Sequence, residues 1–245
     1  MEKSIIVTGG ASGIGLEIAN TALENGYQVG IIDSSENNLE NAMSKSKAIK
    51  GIAADITNQK EVEQAFDELG SPTTVVNNAG IVRFGALIDQ PVEEFVAAVN
   101  VNLIGTYIVS RTAARRMAEG GGHIINITSI NSITPGPNAG AYPSTKAGVR
   151  QLTRQLAIEL ANTKIRVNSI APGFIDAGMS TPIYEDNEIR RKRSEAVPSG
   201  RLGTAQDIAQ AIMFLDSKEG SYVNGHEFVI DGGVVHSLLN QLPRD

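Results

Sequence analysis

The chain has 245 residues, 41% of them hydrophobic, which suffices for one large α/β core. It contains no cysteine, which excludes disulfides, thiolate metal ligands and cysteine nucleophiles. A formal net charge of −6 is not the basic footprint of a nucleic-acid binder, and His123, His226 and His236 stand in no metal-ligand spacing, so neither nucleic acid nor a metal is expected.

In chain order, residues 1–7 (Met-Glu-Lys-Ser-Ile-Ile-Val) run into a strand without a basic segment and a long apolar stretch. Neither a signal peptide nor a membrane-spanning helix is expected, and a cytoplasmic location is the default. The first strand is 4–8, followed by a helix over 13–24 with Ile14, Ile18 and Ala22 on one stripe and Asn25-Gly26 at its end. Further strands are predicted at 28–32, 48–53, 73–76, 123–128, 164–170 and 227–230, with long helices over 92–118, predicted to be broken, and 142–161. Apolar runs alternating with helical segments predict an open, doubly wound, seven-stranded parallel sheet with helices on both faces. No linker or repeat divides residues 1–245, so a single domain is expected. Ligands are expected at the carboxyl ends of the strands.

Thr8-Gly9-Gly10-Ala11-Ser12-Gly13-Ile14-Gly15 falls between the first strand and the first helix, where backbone N–H groups and the helix dipole can hold a pyrophosphate. Its spacing, Gly-x-x-x-Gly-x-Gly, departs from the Gly-x-Gly-x-x-Gly fingerprint. Asp33 closes the second strand, where a carboxylate accepts from a ribose 2′-hydroxyl and repels a 2′-phosphate. Neither Ser12 nor Ser34 offers a compensating cation, so NAD is favoured over NADP.

Tyr142 and Lys146 stand four residues apart at the start of a predicted helix, on one face, with Ser129 thirteen residues before Tyr142. A phenol, of reference pKa about 10, needs a nearby cation to act as a base at neutral pH, and Lys146 can be that cation in a partly desolvated site. Hydrolysis with Ser129 as nucleophile is disfavoured, because Gly-x-Ser-x-Gly is absent around it and no histidine has the matching context. His123, opening a strand, reads as a partly exposed structural residue and His226 as a loop residue.

These motifs together resemble the classical short-chain dehydrogenase/reductase family over almost the whole chain. The glycine turn is similar to that family's Thr-Gly-x-x-x-Gly-x-Gly, and Asp55, with Ile56 beside it, to the aspartate that contacts adenine. Asn77-Asn78-Ala79-Gly80 resembles the motif after the fourth strand, Pro172-Gly173 the Pro-Gly beside the nicotinamide, and Asp231-Gly232-Gly233 the family's ending. The resemblance implies a Rossmann-like fold and a hydride-transferring enzyme with NAD as cofactor. It places NAD on Gly9, Ser12, Gly13, Ile14, Gly15, Asp33, Asp55, Ile56, Asn78, Ala79, Gly80, Tyr142, Lys146, Pro172, Gly173 and Ile175.

It further implies a catalytic tetrad of Asn102, Ser129, Tyr142 and Lys146. Tyr142 would exchange the substrate proton, Ser129 would hydrogen-bond the substrate oxygen, Lys146 would lower the Tyr142 pKa and hold the nicotinamide ribose, and Asn102 would order a water relaying protons from Lys146. One departure is Ala177, which stands where the family often has a threonine near the nicotinamide carboxamide; Ser180 or Thr181 could substitute, and Ile175 still offers backbone groups.

Residues 81–89, 130–141 and 174–202 are expected to enclose a small-molecule substrate, a secondary alcohol or ketone, with 174–202 as a lid. Arg83 and Asn131 are candidates to point into the pocket. The run Arg190-Arg191-Lys192-Arg193 reads first as a solvated helix, with an anionic substrate as the alternative. Two other functions remain open: a 3-oxoacyl-carrier-protein reductase using NADPH, and a catalytically silent dinucleotide-binding regulator. Gly120 and Thr163 occupy the positions where such reductases carry basic docking residues, although Arg115, Arg116 and Lys164 are near. The family commonly assembles as a homotetramer through the two long helices, where Ala113, Ala114, Ala147 and Gly148 permit close packing.

Overall fold

A computed structural model describes residues 2–238; the single-domain expectation also covers residue 1 and residues 239–245, which lie outside the described residues. Seven strands form one sheet: β1 (Ser4–Thr8), β2 (Gln28–Asp33), β3 (Ile49–Ala53), β4 (Thr74–Asn77), β5 (Gly122–Ile127), β6 (Ile165–Pro172) and β7 (Glu227–Ile230). Their order is β3-β2-β1-β4-β5-β6-β7 and every pairing is parallel. The fold is therefore the expected doubly wound, Rossmann-like one. Strand ends differ from the sequence expectation by one or two residues, most at β6, which continues to Pro172 because its ladder with β7 runs on to Ile230.

The helices are α1 (Gly13–Glu24), α2 (Glu36–Lys45), α3 (Gln59–Leu69), α4 (Val92–Val99), α5 (Thr106–Met117), α6 (Tyr142–Glu159), α7 (Thr181–Tyr184), α8 (Asn187–Ala196) and α9 (Ala205–Asp216). Successive strand residues point to opposite faces, so Ile5 and Val7 pack beneath α1, α2 and α9, while Ile6 packs beneath α3, α5 and α6. Burial on both faces explains why the strands read as continuous Ile/Val runs rather than alternating ones.

The break predicted in the 92–118 helix is a π-helical segment, Asn100–Gly105, continuous with α4 and α5. Such wide turns recur at functional sites because they turn a side chain away from the regular helical face. By length and composition Val92–Met117 could cross a membrane, but its α5 half contributes Val109, Ala113 and Met117 to the core over the sheet.

One residue is placed differently from its sequence reading. His123 is 2% exposed rather than partly exposed, because β5 is a central strand whose amino end is sealed by the end of α9. Its Nδ1 lies 2.9 Å from Asp216 Oδ1, and Asn168 Nδ2 is 3.0 Å from its Nε2. Asp216 also accepts from the Tyr27 hydroxyl at 2.7 Å and from Thr74 Oγ1 at 2.8 Å, while Arg166 donates to the carbonyls of Leu215, Gly220 and Val223. This end of the sheet is closed by mutual hydrogen bonding.

Candidate active site

At the opposite, carboxyl end of the sheet, a cavity of about 1280 Å³ extends from the glycine turn to the segment after β6. Strand order reverses between β1 and β4, and the crevice opens at this switch point as doubly wound sheets require. Of the residues singled out from the sequence, Gly9, Ser12, Gly13, Ile14, Asp33, Asp55, Ile56, Asn78, Ala79, Gly80, Ser129, Tyr142, Lys146, Pro172, Gly173 and Ile175 all line it. Gly15 and Asn102 lie behind its wall.

Gly15 is needed for close approach, since a Cβ there would stand 2.1 Å from the Gly9 carbonyl oxygen. Gly13 has φ +52° and faces Gly178 of the loop after β6, so a side chain would collide with that backbone. The turn is held from β4: Thr8 Oγ1 accepts from the amides of Asn78 and Ala79 at 3.1 and 3.2 Å, and Asn78 Nδ2 donates back to the carbonyls of Thr8 and Gly9. Ser12 precedes α1 without capping it, and no acidic residue occupies the first turn of α1. The helix thus presents its amide donors and dipole to the cavity uncancelled, which fits an anionic pyrophosphate. Asp33 is fixed by the amides of Ala11 and Ser35 at 3.2 and 3.0 Å, leaving acceptor capacity toward the cavity for a ribose hydroxyl. The residues present fit a dinucleotide.

The α6 helix opens with Tyr142 and Pro143, the proline in the first turn where a missing N–H is harmless. Lys146, one turn on, is 3% exposed; its Nζ donates to the Ile127 carbonyl at 2.7 Å and sits 5.6 Å from the centre of the Tyr142 ring. Burial depresses the lysine pKa to about 8. The phenol of Tyr142 is pushed up to about 12 by burial, with the Ser129 hydroxyl acting in the opposite direction. Lys146 was expected to bring the phenol down. Burial raises it instead, and the Lys146 ammonium is itself desolvated and directed to a carbonyl.

Asn102 is 0% exposed, turned inward by the π segment. Its Oδ1 accepts from the Ile81 amide at 2.8 Å, and its Nδ2 donates to the Ile81 carbonyl at 2.9 Å and to Thr145 Oγ1 at 3.0 Å. Thr145 in turn donates to the Tyr142 carbonyl at 2.8 Å. Both amide hydrogens are therefore engaged within the protein.

On the substrate side, Ser129 Oγ accepts from the Asn131 amide at 3.1 Å, and its hydroxyl hydrogen-bonds the Tyr142 phenol. Asn131 lines the cavity with its Oδ1 bound to the Gly136 amide, whereas Arg83 and His226 do not line it. Ser180 lines it and Thr181 does not; Ala177 lines it too, beside the core. Tyr184 and Arg193, from the 174–202 segment expected to enclose the substrate, line the cavity, although the charge run holding Arg193 reads first as solvated; the Val234, Val235, Ser237 and Leu238 stretch lines it too and was missed. Nothing local marks them, because only the tertiary fold returns the segment after β7 to the mouth of the site.

The family model described as Enoyl-(Acyl carrier protein) reductase matches residues 9–235. A 2-(S)-hydroxypropyl-CoM dehydrogenase of Xanthobacter autotrophicus is 35% identical over 243 residues, covering 94% of this chain and 95% of its own. The crystal structure of a 3-ketoacyl-(acyl-carrier-protein) reductase from Brucella melitensis, complexed with NADH, is 32% identical with a TM-score of 0.87, covering 95% and 98%. A short-chain type dehydrogenase/reductase from Mycobacterium ulcerans is 33% identical with a TM-score of 0.91, covering 96% and 90%. The chain belongs to the short-chain dehydrogenase/reductase family of oxidoreductases, a family that binds nicotinamide dinucleotides.

Proposed function

We propose that this oxidoreductase moves hydride between NAD and a secondary alcohol or ketone, with Tyr142 as general acid/base. The observation that carries the reading is that Tyr142, Lys146 and Ser129 line the same cavity as the glycine turn and Asp33. A dinucleotide held by the glycine turn, Asp33 and Lys146 would supply the hydride acceptor for oxidation of the carbinol carbon and the hydride donor for reduction. Tyr142 accepts the hydroxyl proton at Oη in oxidation and donates it to the ketone oxygen in reduction. Ser129, beside the Tyr142 phenol, donates its hydroxyl hydrogen to that oxygen, where charge develops. Lys146 holds the nicotinamide ribose with the N–H groups that Ile127 leaves free. Asn102 is a positioning residue, tying Ile81 to Thr145 and so to the first turn of α6. Asp33 accepts from the adenosine ribose and supports NAD over NADP, and residues 174–202 act as the lid.

The protein is proposed to work as a cytoplasmic homotetramer. Two separate apolar faces support the assembly: Val92, Val96, Ile104, Tyr107 and Ile158 on the long helices, and Phe214 with Phe228 at the edge strand β7. Sedimentation at micromolar concentration should give four chains; a monomer rejects this assembly.

A second reading, a 3-oxoacyl-carrier-protein reductase, is favoured by the Brucella structure and by curated relatives of that name, among them those of Rattus norvegicus and Thermotoga maritima at 35% and 34% identity. Cofactor titration with a panel of secondary alcohols, ketones and acyl thioesters separates the readings. NAD-linked turnover of simple alcohols supports the first, and thioester reduction with strong NADPH preference supports the second. Dinucleotide binding without any turnover would leave the non-catalytic regulator.

A further inference from the structure

Four consecutive cations, Arg190 to Arg193, occupy the middle of α8, and three of them have carboxylate partners. Arg190 pairs with Asp176 at 2.7 Å, Arg191 with Glu188 and Glu195, and Lys192 with Glu188. Arg193 differs. No carboxylate among the described residues lies within 4.0 Å of it, and it lines the cavity instead of facing outward with its neighbours. Its guanidinium stacks over the rings of Phe174 at 5.2 Å and Tyr184 at 5.5 Å and donates to the Tyr184 hydroxyl at 3.3 Å. Two aromatic faces thus hold the planar fork in place while its charge stays uncompensated.

Among the described residues, the cavity wall carries three other formally charged side chains, and each has an assignment elsewhere. Asp33 is fixed at the end of β2, Asp55 follows β3, and Lys146 Nζ is held by Ile127. The Phe174 that supports Arg193 directly follows the Pro172-Gly173 pair after β6 and lines the same cavity as Ser129 and Tyr142.

The geometry points to Arg193 as the recognition group for an anionic substituent of the substrate: the alcohol or ketone carries an oxyanion, a carboxylate or phosphate, engaged by the guanidinium fork. This rests on the proposed alcohol/ketone chemistry for its reacting carbon, but the binding of the anion does not depend on turnover. Five N–H donors in one plane match both oxyanions bidentately, and closing α8 over such a group would supply the charge that the other three cations already have.

The test is calorimetric binding and initial-rate turnover on the NAD-loaded full chain. The probes are 3-hydroxybutyrate and 4-hydroxypentanoate against their primary amides, with glycerol 3-phosphate against glycerol as the phosphate arm. Wild type should bind one acid, or the phosphate, at least about tenfold more tightly than its neutral counterpart, the scale of a charge-assisted pair. Arg193→Gln should cost the anion about tenfold more than the neutral compound, mainly in KM, while NAD affinity changes less than about twofold. Arg193→Lys should recover part of the preference and serves as the folding control. Equal losses on anion and neutral compound, an NAD affinity that falls in step, or no preference in wild type would each overturn the assignment. Tight anion binding without turnover upholds Arg193 and rejects the proposed reaction on these alcohols; turnover of neutral compounds without anion preference does the reverse.

Discussion

The two ends of the sheet carry similar buried polar chemistry arranged to opposite purposes. At the amino end, His123, Asp216, Tyr27, Thr74, Arg166 and Asn168 bond one another and surrounding carbonyls, and none of them lines the large cavity. At the carboxyl end, Tyr142, Ser129, Lys146 and Asp33 are held by one or two bonds each and keep capacity toward open space. A buried polar group satisfied by its neighbours stabilises a fold, whereas one left facing a cavity is available to a ligand. The cost is visible in the pKa values, with burial pushing Tyr142 up to about 12 and Lys146 down to about 8.

Breaking each end separately sharpens the contrast. Tyr142→Phe should lower turnover by about 10³-fold or more, the range of a lost general acid/base, with NAD affinity and thermal midpoint nearly unchanged. Comparable activity in steady-state assays would reject Tyr142 as the proton-transfer group. Asp216→Ala, at the sealed end, should cost about 3 kcal/mol of stability in urea denaturation, since it strands His123, Tyr27 and Thr74 together. Turnover per folded molecule should survive, and a selective loss of activity without unfolding would contradict the division of labour.

Acid should act first through the same sealed end. Burial, aided by Arg166 and opposed by Asp216, holds the His123 pKa below its ordinary value, so below about 6.5 the unfolded chain binds the extra proton and stability falls with falling pH. Although burial opposes it, bonding to His123, Tyr27 and Thr74 holds the Asp216 carboxyl below the usual range, and that contribution is lost only below about pH 4. Denaturation midpoints measured from pH 8 to pH 3 should decline in two stages, with His123→Gln removing the upper one; a flat profile above pH 4 would be inconsistent with a neutral buried histidine. The smallest effect is expected at Asp33→Ala, which should reduce the NAD-over-NADP ratio of kcat/KM by about tenfold, one charge-assisted hydrogen bond plus relieved repulsion. An unchanged ratio removes the ribose role.

Much of the site was legible because strand–turn–helix junctions are local. Gly9 to Gly15, Asp33 and the Tyr142/Lys146 pair are each set by periodicity and turn chemistry within a few residues, and a parallel sheet must deliver all such junctions to one end. Asn102 was legible as a residue and not as a geometry, since the π segment that turns it onto Ile81 has no clear composition signal. His123 was misread because a histidine at a strand start is ordinarily near solvent, and only the return of α9 buries it. Arg193 was hidden in a charge run for the same kind of reason: its three neighbours do face carboxylates, and nothing in the sequence says which of the four turns inward.

The sequence by itself determined the sheet, the order of its elements and the chemistry available at its carboxyl ends, because period, turn residues and side-chain type are local properties. Only the tertiary structure decided which polar groups close on one another and which are left facing a cavity, because that depends on partners from distant segments, as α9 against His123 and α8 against Phe174 show.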